Sequence, residues 1–251
     1  MTFFDNLIDD YLRHKRGNSA SPHPEDVFYC SELGACLRCS WYKRKVAVQH
    51  SPQMLRKFAA GDLVHAFMRE VFANSPEKAK LVSAEEPFTI VVDDFEIRGR
   101  ADDVILARLF PEQASRLFPS LRGEEEVLVV VEVKSVSGKR VDFITRPSFP
   151  HLVQIHPYLR VKRAKLGTIL YVARDTLQTK WFTVFYDEAL YRQTLERARS
   201  LRNYIVTNTL PPAEGRENPE LRPLCYGTCL DWRPLWRACR HDSPDPLRWI
   251  W

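Results

Sequence analysis

The sequence predicts an α/β fold, since strand-like apolar runs alternate along the chain with segments of helical periodicity. Residues 127–131 are a continuous Val/Leu run, which is typical of a strand covered on both faces of a sheet. Residues 52–74 instead place apolar side chains three and four positions apart, the period of a helix that faces a core. With 251 residues, 45% of them apolar, the chain can bury one large core.

Charge and composition leave most soluble functions open. The formal net charge of +5 is compatible with a polyanionic partner, although many proteins without such a partner share it. No apolar run approaches the roughly 18 residues that a bilayer-spanning helix needs. Residues 1–10 are acidic and amphipathic, unlike a secretory signal. We expect a cytoplasmic protein with no membrane partner.

The remaining segments complete the predicted sheet and its helices. They are, in chain order, a helix at 3–14, strands at 87–92 and 95–99, a helix at 150–165 that ends at Gly167, strands at 168–173 and 180–186, and a helix capped by Asp187. The pair Asp93 and Asp94 predicts a hairpin turn between the first two strands. Pro157 should kink the helix at 150–165, because it removes a backbone hydrogen bond. Residues 109–126 form an insertion between two strands.

Acidic side chains follow two strand-like runs near the middle of the chain. Residues 97–101 lead into Asp102 and Asp103, and residues 127–131 lead into Glu132 and Lys134. Glu132 and Lys134 are two positions apart, so their side chains point to the same face of a strand. Two carboxylates can hold a hard divalent cation, and an ammonium beside them can act on the attacking water and the phosphate. This set predicts phosphodiester hydrolysis; as an alternative, the adjacent acids cap a turn.

This set resembles the core motif of the PD-(D/E)XK nucleases, with Asp102 and then Glu132-Val133-Lys134 at the motif positions. Within that superfamily the chain resembles the RecB-like exonucleases that carry an iron–sulfur cluster, and most of all the CRISPR-associated adaptation nucleases. The resemblance implies a restriction-endonuclease-like α/β core, in which helices flank a central mixed sheet. It also implies one nuclease domain over 1–251, made of a helical N-terminal lobe (1–80), a catalytic core (81–209) and a cysteine-rich cap (210–251).

Two further motifs of this family have counterparts on predicted helices. The pattern Gly61-Asp62-x-x-His65 resembles the helix whose histidine binds the catalytic metal, although a histidine on an apolar helix face is usually a core residue. Gln154 and Tyr158 lie one helical turn apart and resemble the signature helix that lies against the active site and the DNA. The implied ligands of Mg²⁺ or Mn²⁺ are His65, Asp102, Glu132 and the carbonyl of Val133. The implied catalytic residues are Asp102, Glu132, Lys134, Gln154 and Tyr158.

The six cysteines fall into two groups near the ends of the chain. In a reducing compartment, clustered cysteines favour metal or cluster ligation over disulfides. Residues 31–38, with the order Ser-Glu-Leu-Gly-x-Cys-x-Arg, resemble the N-terminal signature of the iron–sulfur nucleases. That resemblance implies a cluster, expected to be 4Fe-4S, whose ligands are Cys36, Cys225, Cys229 and Cys239. The C-terminal spacing is wider than the family's usual one, so Cys30 or Cys39 could substitute, and a zinc site or inert buried thiols remain alternatives.

Basic residues in two places are candidates for contacting phosphates. They are Lys139 and Arg140 in the polar loop after Lys134, and Arg160, Lys162 and Arg163 at the end of the helix at 150–165. In both places a solvated surface is an equally good interpretation.

The resemblance implies a metal-dependent nuclease of single-stranded or tailed DNA. Cleavage would be exonucleolytic, with endonucleolytic cleavage as a further option. By analogy it would process CRISPR spacer precursors together with the integrase complex. Alternatives are a non-catalytic DNA-binding or zinc-ribbon interaction protein, and a RecB-like nuclease of recombination or phage replication.

Overall fold

The computed structural model of the chain describes residues 2–16, 22–47, 50–108, 126–222 and 233–245. Its helices are α1 (Phe3–Arg16), α2 (Cys30–Leu33), α3 (Leu37–Lys45), α4 (Pro52–Ala73), α5 (Gly138–Val141), α6 (Phe149–Lys162), α7 (Glu188–Val206), α8 (Glu214–Glu217) and α9 (Arg233–Arg240). Its strands are β1 (Val27–Tyr29), β2 (Ala79–Ala84), β3 (Pro87–Val92), β4 (Phe95–Arg100), β5 (Asp103–Arg108), β6 (Glu126–Val136), β7 (Leu166–Ala173) and β8 (Thr179–Phe185).

The strands form a central mixed sheet and a smaller second sheet. The central sheet has the order β2-β5-β6-β7-β8. Among its described strands β6 and β7 are parallel neighbours, and the other neighbours are antiparallel. Helix α6 makes the crossover between those two strands, as a parallel pair requires. The second sheet has the order β1-β4-β3. The predicted hairpin of β3 and β4 is confirmed, but it belongs to this second sheet and not to the central one.

Helices cover the central sheet on both faces, as the continuous apolar run of β6 predicts. Val130 faces one apolar cluster, which includes Ile155 of α6. Val129 and Val131 face a second cluster, which includes Val64 and Met68 of α4. Because side chains alternate along a strand, Glu132 and Lys134 must point to the α6 side. The mixed α/β architecture that the sequence predicts is therefore confirmed.

The predicted end of α6 is wrong. The helix stops at Lys162 and is capped by Arg163 in the left-handed conformation, with φ of 52°. Gly167 lies four residues further, inside β7, where it pairs with Val130 of β6. A Cβ atom at Gly167 would lie 2.8 Å from Cδ1 of Ile155. The glycine is therefore explained by the close approach of α6 to the sheet, not by a helix cap.

Pro157 lies within α6 without ending it. The carbonyl of Val153, four residues earlier, cannot receive a hydrogen bond from the proline nitrogen. The hydroxyl of Thr194 in α7 lies 3.5 Å from this carbonyl, and Thr194 is fully buried. The neighbouring helix thus places a hydroxyl near this carbonyl, while the shorter hydrogen bond of that hydroxyl, at 2.9 Å, goes to the carbonyl of Leu190.

Other parts of the prediction agree with the structure or lie outside it. The helix predicted at 52–74 is confirmed as α4. The cap at Asp187 is also confirmed, since Asp187 accepts backbone hydrogen bonds from Ala189 and Leu190. The insertion predicted at 109–126 lies outside the described residues up to position 125. The division into lobe, core and cap stays a prediction. None of the helices in the described ranges combines the length and apolarity that crossing a membrane requires.

Candidate active site

The site lies at the edge of the central sheet where β5 begins. Strand β5 starts at Asp103, opposite Val131, whereas β6 runs on to Val136. The chain arrives from β4 in the other sheet through Asp102, which therefore stands beside the extended part of β6. Its Oδ2 atom accepts a hydrogen bond of 2.8 Å from the backbone N–H of Val133. The N–H and C=O of one residue point to the same side of a strand, so the Val133 carbonyl is directed to this edge as well.

His65 reaches the same edge from the opposite face of the sheet. It lies on α4, and its Nδ1 is 3.2 Å from Oδ1 of Asp102. The hydrogen bond to Asp102 raises the pKa of His65, and burial only partly opposes this effect. The structure thus brings His65 and Asp102 into contact, and the alternative of a histidine enclosed in the core does not hold.

Glu132, Lys134 and Gln154 form a compact polar network on the α6 side. Oε1 of Glu132 accepts hydrogen bonds from Lys134 Nζ at 2.6 Å and from Gln154 Nε2 at 2.7 Å. Lys134 Nζ also donates to Gln154 Oε1 at 2.9 Å. The other carboxylate oxygen of Glu132, Oε2, is buried and has no hydrogen-bond partner among the described residues. One oxygen of this carboxylate is therefore fully used, and the other is left for a ligand.

The protonation of the network follows from burial and from the charges around it. Burial raises the pKa of Glu132 to about 7, and the nearby carboxylate of Asp102 adds to this, whereas Lys134 opposes it. Burial disfavours the charged form of Lys134, but the contact with Glu132 outweighs it and raises the lysine pKa. Lys134 is therefore an ammonium at neutral pH, and Glu132 exchanges its proton in the physiological range.

Asp103 lies behind the site in a separate ion-pair network. Its carboxylate is buried, and Nε of Arg69 is 3.8 Å from its Oδ1. Arg69 pairs more closely with Glu85, at 2.9 Å. Burial raises the pKa of Asp103 to about 6. Asp102 and Asp103 thus have different surroundings: the Asp102 side chain contacts His65 and the N–H of Val133, whereas the Asp103 side chain faces Arg69.

Tyr158 is the innermost member of the site. It is buried, and its hydroxyl accepts a hydrogen bond of 3.1 Å from Gln154 Nε2. Both hydrogens of the Gln154 amide are therefore used within the protein. The ring lies against Gly99, where an added Cβ would come within 2.7 Å of Tyr158 Cε1 and 2.8 Å of Cys30 Sγ. Gly99, three residues before Asp102, therefore leaves the space that Tyr158 occupies.

Tyr171 and His151 lie beside Lys134, and Tyr171 was not predicted from the sequence. Tyr171 of β7 is the register partner of Lys134, and its hydroxyl is 2.8 Å from His151 Nδ1. Burial lowers the pKa of His151 to about 3, with Lys134 adding to the effect, so this imidazole is neutral. The parallel pairing of β6 with the strand after α6 was a usable signal, because register partners point to the same face of a sheet.

The structure separates the two groups of basic candidates. Lys139 and Arg140 both lie in α5, just past the end of β6 that carries Lys134. Arg160, Lys162 and Arg163 lie at the far end of α6, next to the start of β7. Lys162 forms an ion pair with Glu86. Only the first group lies at the same end of the sheet as the polar network.

The described cysteines near the chain ends lie in adjoining elements. Cys36 and Cys39 are buried, and Trp236 of α9 packs against them. Cys239 lies on the same helix, and its carbonyl accepts a hydrogen bond of 3.2 Å from Arg38. The N-terminal and C-terminal cysteine groups are thus brought to one region of the fold.

The other cysteines do not join this region within the described residues. Cys30 lies beside Gly99 and Tyr158 in the main core, so Cys39 is the better placed of the two predicted substitutes. Cys225 and Cys229 lie outside the described residues. In the part of the chain that is described, no three His, Cys, Asp or Glu side chains form a ready-made metal cage.

The fold has counterparts among solved structures. The crystal structure of SSO0001 has a TM-score of 0.53 and 16% identity, and the match covers 90% of this chain and 97% of that chain. The crystal structure of LHK-Exo in complex with dAMP has a TM-score of 0.46 and 11% identity, covering 81% of this chain and 93% of that one. No protein-family model and no curated protein sequence matches the chain. The similarity to SSO0001 concerns the fold alone.

Proposed function

We propose that the chain is a divalent-metal-dependent nuclease that hydrolyses phosphodiester bonds in single-stranded DNA. The observation that carries the proposal is the buried, unpartnered Oε2 of Glu132, at a sheet edge shared with Asp102, His65 and Lys134. A buried polar oxygen without a partner is costly, and its place beside a second carboxylate and a lysine suits it to bind a cation. The Asp/Glu/Lys order of the PD-(D/E)XK motif agrees with this assignment.

The carboxylates and the backbone carbonyl at this edge are donors of the kind that a hard divalent cation prefers, although the described side chains do not form a ready-made cage. Carboxylates and a backbone carbonyl suit Mg²⁺ or Mn²⁺, so we assign Asp102, Glu132 and the Val133 carbonyl as ligands, and we add His65 on the motif resemblance and its contact with Asp102. When bound, the cation would activate water and neutralise charge on the phosphate. Cation binding requires a deprotonated Glu132, whose pKa of about 7 places that deprotonation near neutral pH.

Lys134 then acts on the phosphate through its positive charge. An ammonium has three hydrogens, and two of them are held by Glu132 and Gln154. The third remains for a phosphate oxygen or the attacking water. Because its raised pKa keeps it protonated, we assign Lys134 the stabilisation of developing negative charge, not the removal of a proton from water.

Gln154 and Tyr158 support these groups from the interior. Both are buried, and the amide of Gln154 is fully occupied by Glu132, Lys134 and Tyr158. We therefore assign both as positioning residues that hold Glu132 and Lys134 in place, and leave the contact with the DNA strand to exposed residues such as Lys139 and Arg140.

The test is degradation of end-labelled linear and circular single-stranded DNA with Mn²⁺. We expect cleavage that EDTA and the substitution Lys134→Ala both abolish. Lys45→Ala is the matched control, because Lys45 pairs with Glu25 away from the network, and it should leave the rate unchanged. Loss of linear DNA alone indicates an exonuclease, and loss of circles adds endonuclease activity. A folded protein that cuts neither substrate would contradict the proposal.

We extend the proposal to a thiolate-bound cluster that joins the chain ends, with Cys36, Cys225, Cys229 and Cys239 as ligands. Support comes from the thiolate donor set and from the approach of α9 to Cys36. Cys36→Ala should remove the visible absorbance and the bound iron, whereas Cys39→Ala should retain both. A colourless protein with stoichiometric zinc would show that these cysteines form a zinc site and not an iron–sulfur cluster.

The biological setting follows from the motif resemblance alone. We propose that the nuclease trims CRISPR spacer precursors in complex with the integrase. The measurement is co-purification of the two proteins on a tailed DNA substrate. Absence of a complex would favour a role in recombination or phage replication.

A further inference from the structure

A cavity of about 500 Å³ opens beside the active site, between the end of β6 and the start of α6. His151 and Tyr171 line it, and Tyr171 is the register partner of Lys134. Since register partners lie side by side on one face of the sheet, the cavity adjoins the lysine. Its volume falls within the range of small-ligand pockets.

The cavity presents an aromatic ring at its mouth. Phe143 follows α5 and is 83% exposed, although it also lines the cavity together with Val136 and Ile144. A single exposed apolar side chain is ordinary on a protein surface. Here the exposed ring continues an apolar wall that leads inward, which is the arrangement of a stacking platform.

Polar groups of two kinds stand around this apolar wall. Arg140 lines the cavity and makes no ion pair with any described residue, whereas Arg146 pairs with Glu220 at 2.7 Å. A free guanidinium beside an aromatic ring suits a phosphate next to a stacked base.

The inner wall offers a neutral hydrogen-bond donor. The Tyr171 oxygen accepts a hydrogen bond of 3.3 Å from the N–H of Ser148, so its own hydrogen is directed to His151 Nδ1 at 2.8 Å. A neutral imidazole that accepts at Nδ1 carries its hydrogen on Nε2. His151 Nε2 is therefore a donor that a nucleobase carbonyl or ring nitrogen can use.

We propose that this cavity is a nucleobase subsite, in which one unstacked base of a single strand lies on Phe143 while Arg140 holds an adjacent phosphate. The inference rests on the proposed function, because it places the next phosphate of the strand at Lys134. A base can enter only when it has left its stack and its pair, so the subsite selects single-stranded over duplex substrate. It assigns the preference for single strands to particular residues.

The experiment compares the binding of two fluorescent strands of equal length, oligothymidylate and an all-abasic strand, in EDTA so that no strand is cut. Phe143→Ala should raise the Kd for oligothymidylate about tenfold, in the range expected for one lost base stack. It should leave the Kd for the abasic strand unchanged. Arg140→Ala should weaken the binding of both strands equally and lower its salt dependence, since Arg140 would contact a phosphate.

The matched control is Phe185→Ala, which truncates another exposed ring, on β8, and should change neither Kd. Equal weakening of both strands by Phe143→Ala, or no weakening of either, would overturn the subsite. Cleavage by the wild type together with that result would leave the nuclease function standing without the subsite. Base-dependent binding without any cleavage would leave the subsite standing and reject the nuclease.

Discussion

Two of the buried carboxylates that pair with a cation, Glu32 with Arg44 and Glu132 with Lys134, have opposite electrostatics. In the first, both oxygens of Glu32 are used. Oε1 accepts from Arg44 at 2.6 Å and from the Tyr29 N–H at 2.9 Å, and Oε2 accepts from Arg44 at 3.1 Å. Burial opposes ionisation of Glu32, but the His23 ring, 3.6 Å away, and the Arg44 guanidinium outweigh it and lower its pKa to about 2.

In the second pair, Glu132 with Lys134, burial wins. Only Oε1 of Glu132 has partners, Oε2 has none among the described residues, and the carboxylate of Asp102 adds repulsion, so the pKa rises to about 7. Glu32 has both oxygens satisfied by the protein, whereas Glu132 has an open oxygen beside Asp102, the arrangement that we propose for cation binding. The two pairs thus differ in the number of satisfied oxygens, and this difference is the basis for our proposal that Glu132 serves a cation.

The largest expected effect is on cleavage. Glu132→Gln removes the charge that a cation needs but keeps an oxygen that Lys134 can donate to, so the rate should fall by about 10³-fold or more. The free energy of unfolding at neutral pH should change by less than about 1 kcal/mol, since the substitution removes a buried, half-satisfied charge. The measurements are single-turnover cleavage with Mn²⁺ and urea unfolding. Full activity of Glu132→Gln would end its assignment as a ligand.

The matched substitution in the other pair should do the reverse. Glu32→Gln leaves the buried guanidinium of Arg44 without its charge partner, and the free energy of unfolding should fall by about 3 kcal/mol. Cleavage per folded molecule should stay unchanged, because the Glu32 pair contributes no contact to the Glu132 network. Urea unfolding and cleavage at a temperature where the variant is folded test both parts. A loss of cleavage without a loss of stability would mean that the two regions are coupled.

Much of this site could be predicted from the sequence because its signals are local. The positions of Glu132 and Lys134 follow from strand periodicity, and those of Gln154 and Tyr158 follow from helical periodicity. The role of Gly167 was mistaken, because a glycine that permits helix–sheet contact and one that ends a helix look alike in a sequence. Only the packed structure shows Ile155 where its Cβ would be.

The surroundings of the site could not be predicted, because they depend on contacts between distant segments. Glu32 and Glu132 both lie next to apolar residues in the sequence. Nothing in these adjacent residues indicates that the pKa of Glu32 falls and the pKa of Glu132 rises. The pKa of Glu32 falls because His23 and Arg44, 12 residues away, outweigh its burial. The pKa of Glu132 rises chiefly because the fold buries it, and Asp102 adds to this effect. The cavity at Phe143 depends likewise on the packing of β7 beside β6.

The smallest effect is the dependence of stability on pH, where the two carboxylates should act in opposite directions. Glu32 has a folded pKa of about 2, below its ordinary value of 4.5, so its stabilisation is complete above pH 4.5 and is lost as the pH falls towards 2. Glu132 has a folded pKa of about 7, above 4.5, so its contribution is complete below pH 4.5 and is lost as the pH rises towards 7. The raised pKa values of Asp103 and His65 act in the same direction as that of Glu132.

Each proton contributes at most about 1.4 kcal/mol per pH unit, so variants must be compared over the whole range. Glu32→Gln should flatten the acid limb of the curve of unfolding free energy against pH. Glu132→Gln should flatten part of the decline between pH 4.5 and 7, and Mn²⁺ should oppose that decline in the wild type by binding the ionised site. If Mn²⁺ instead stabilises Glu132→Gln as strongly as the wild type, the cation binds elsewhere. In that case the open oxygen of Glu132 would no longer distinguish the functional pair from the structural one.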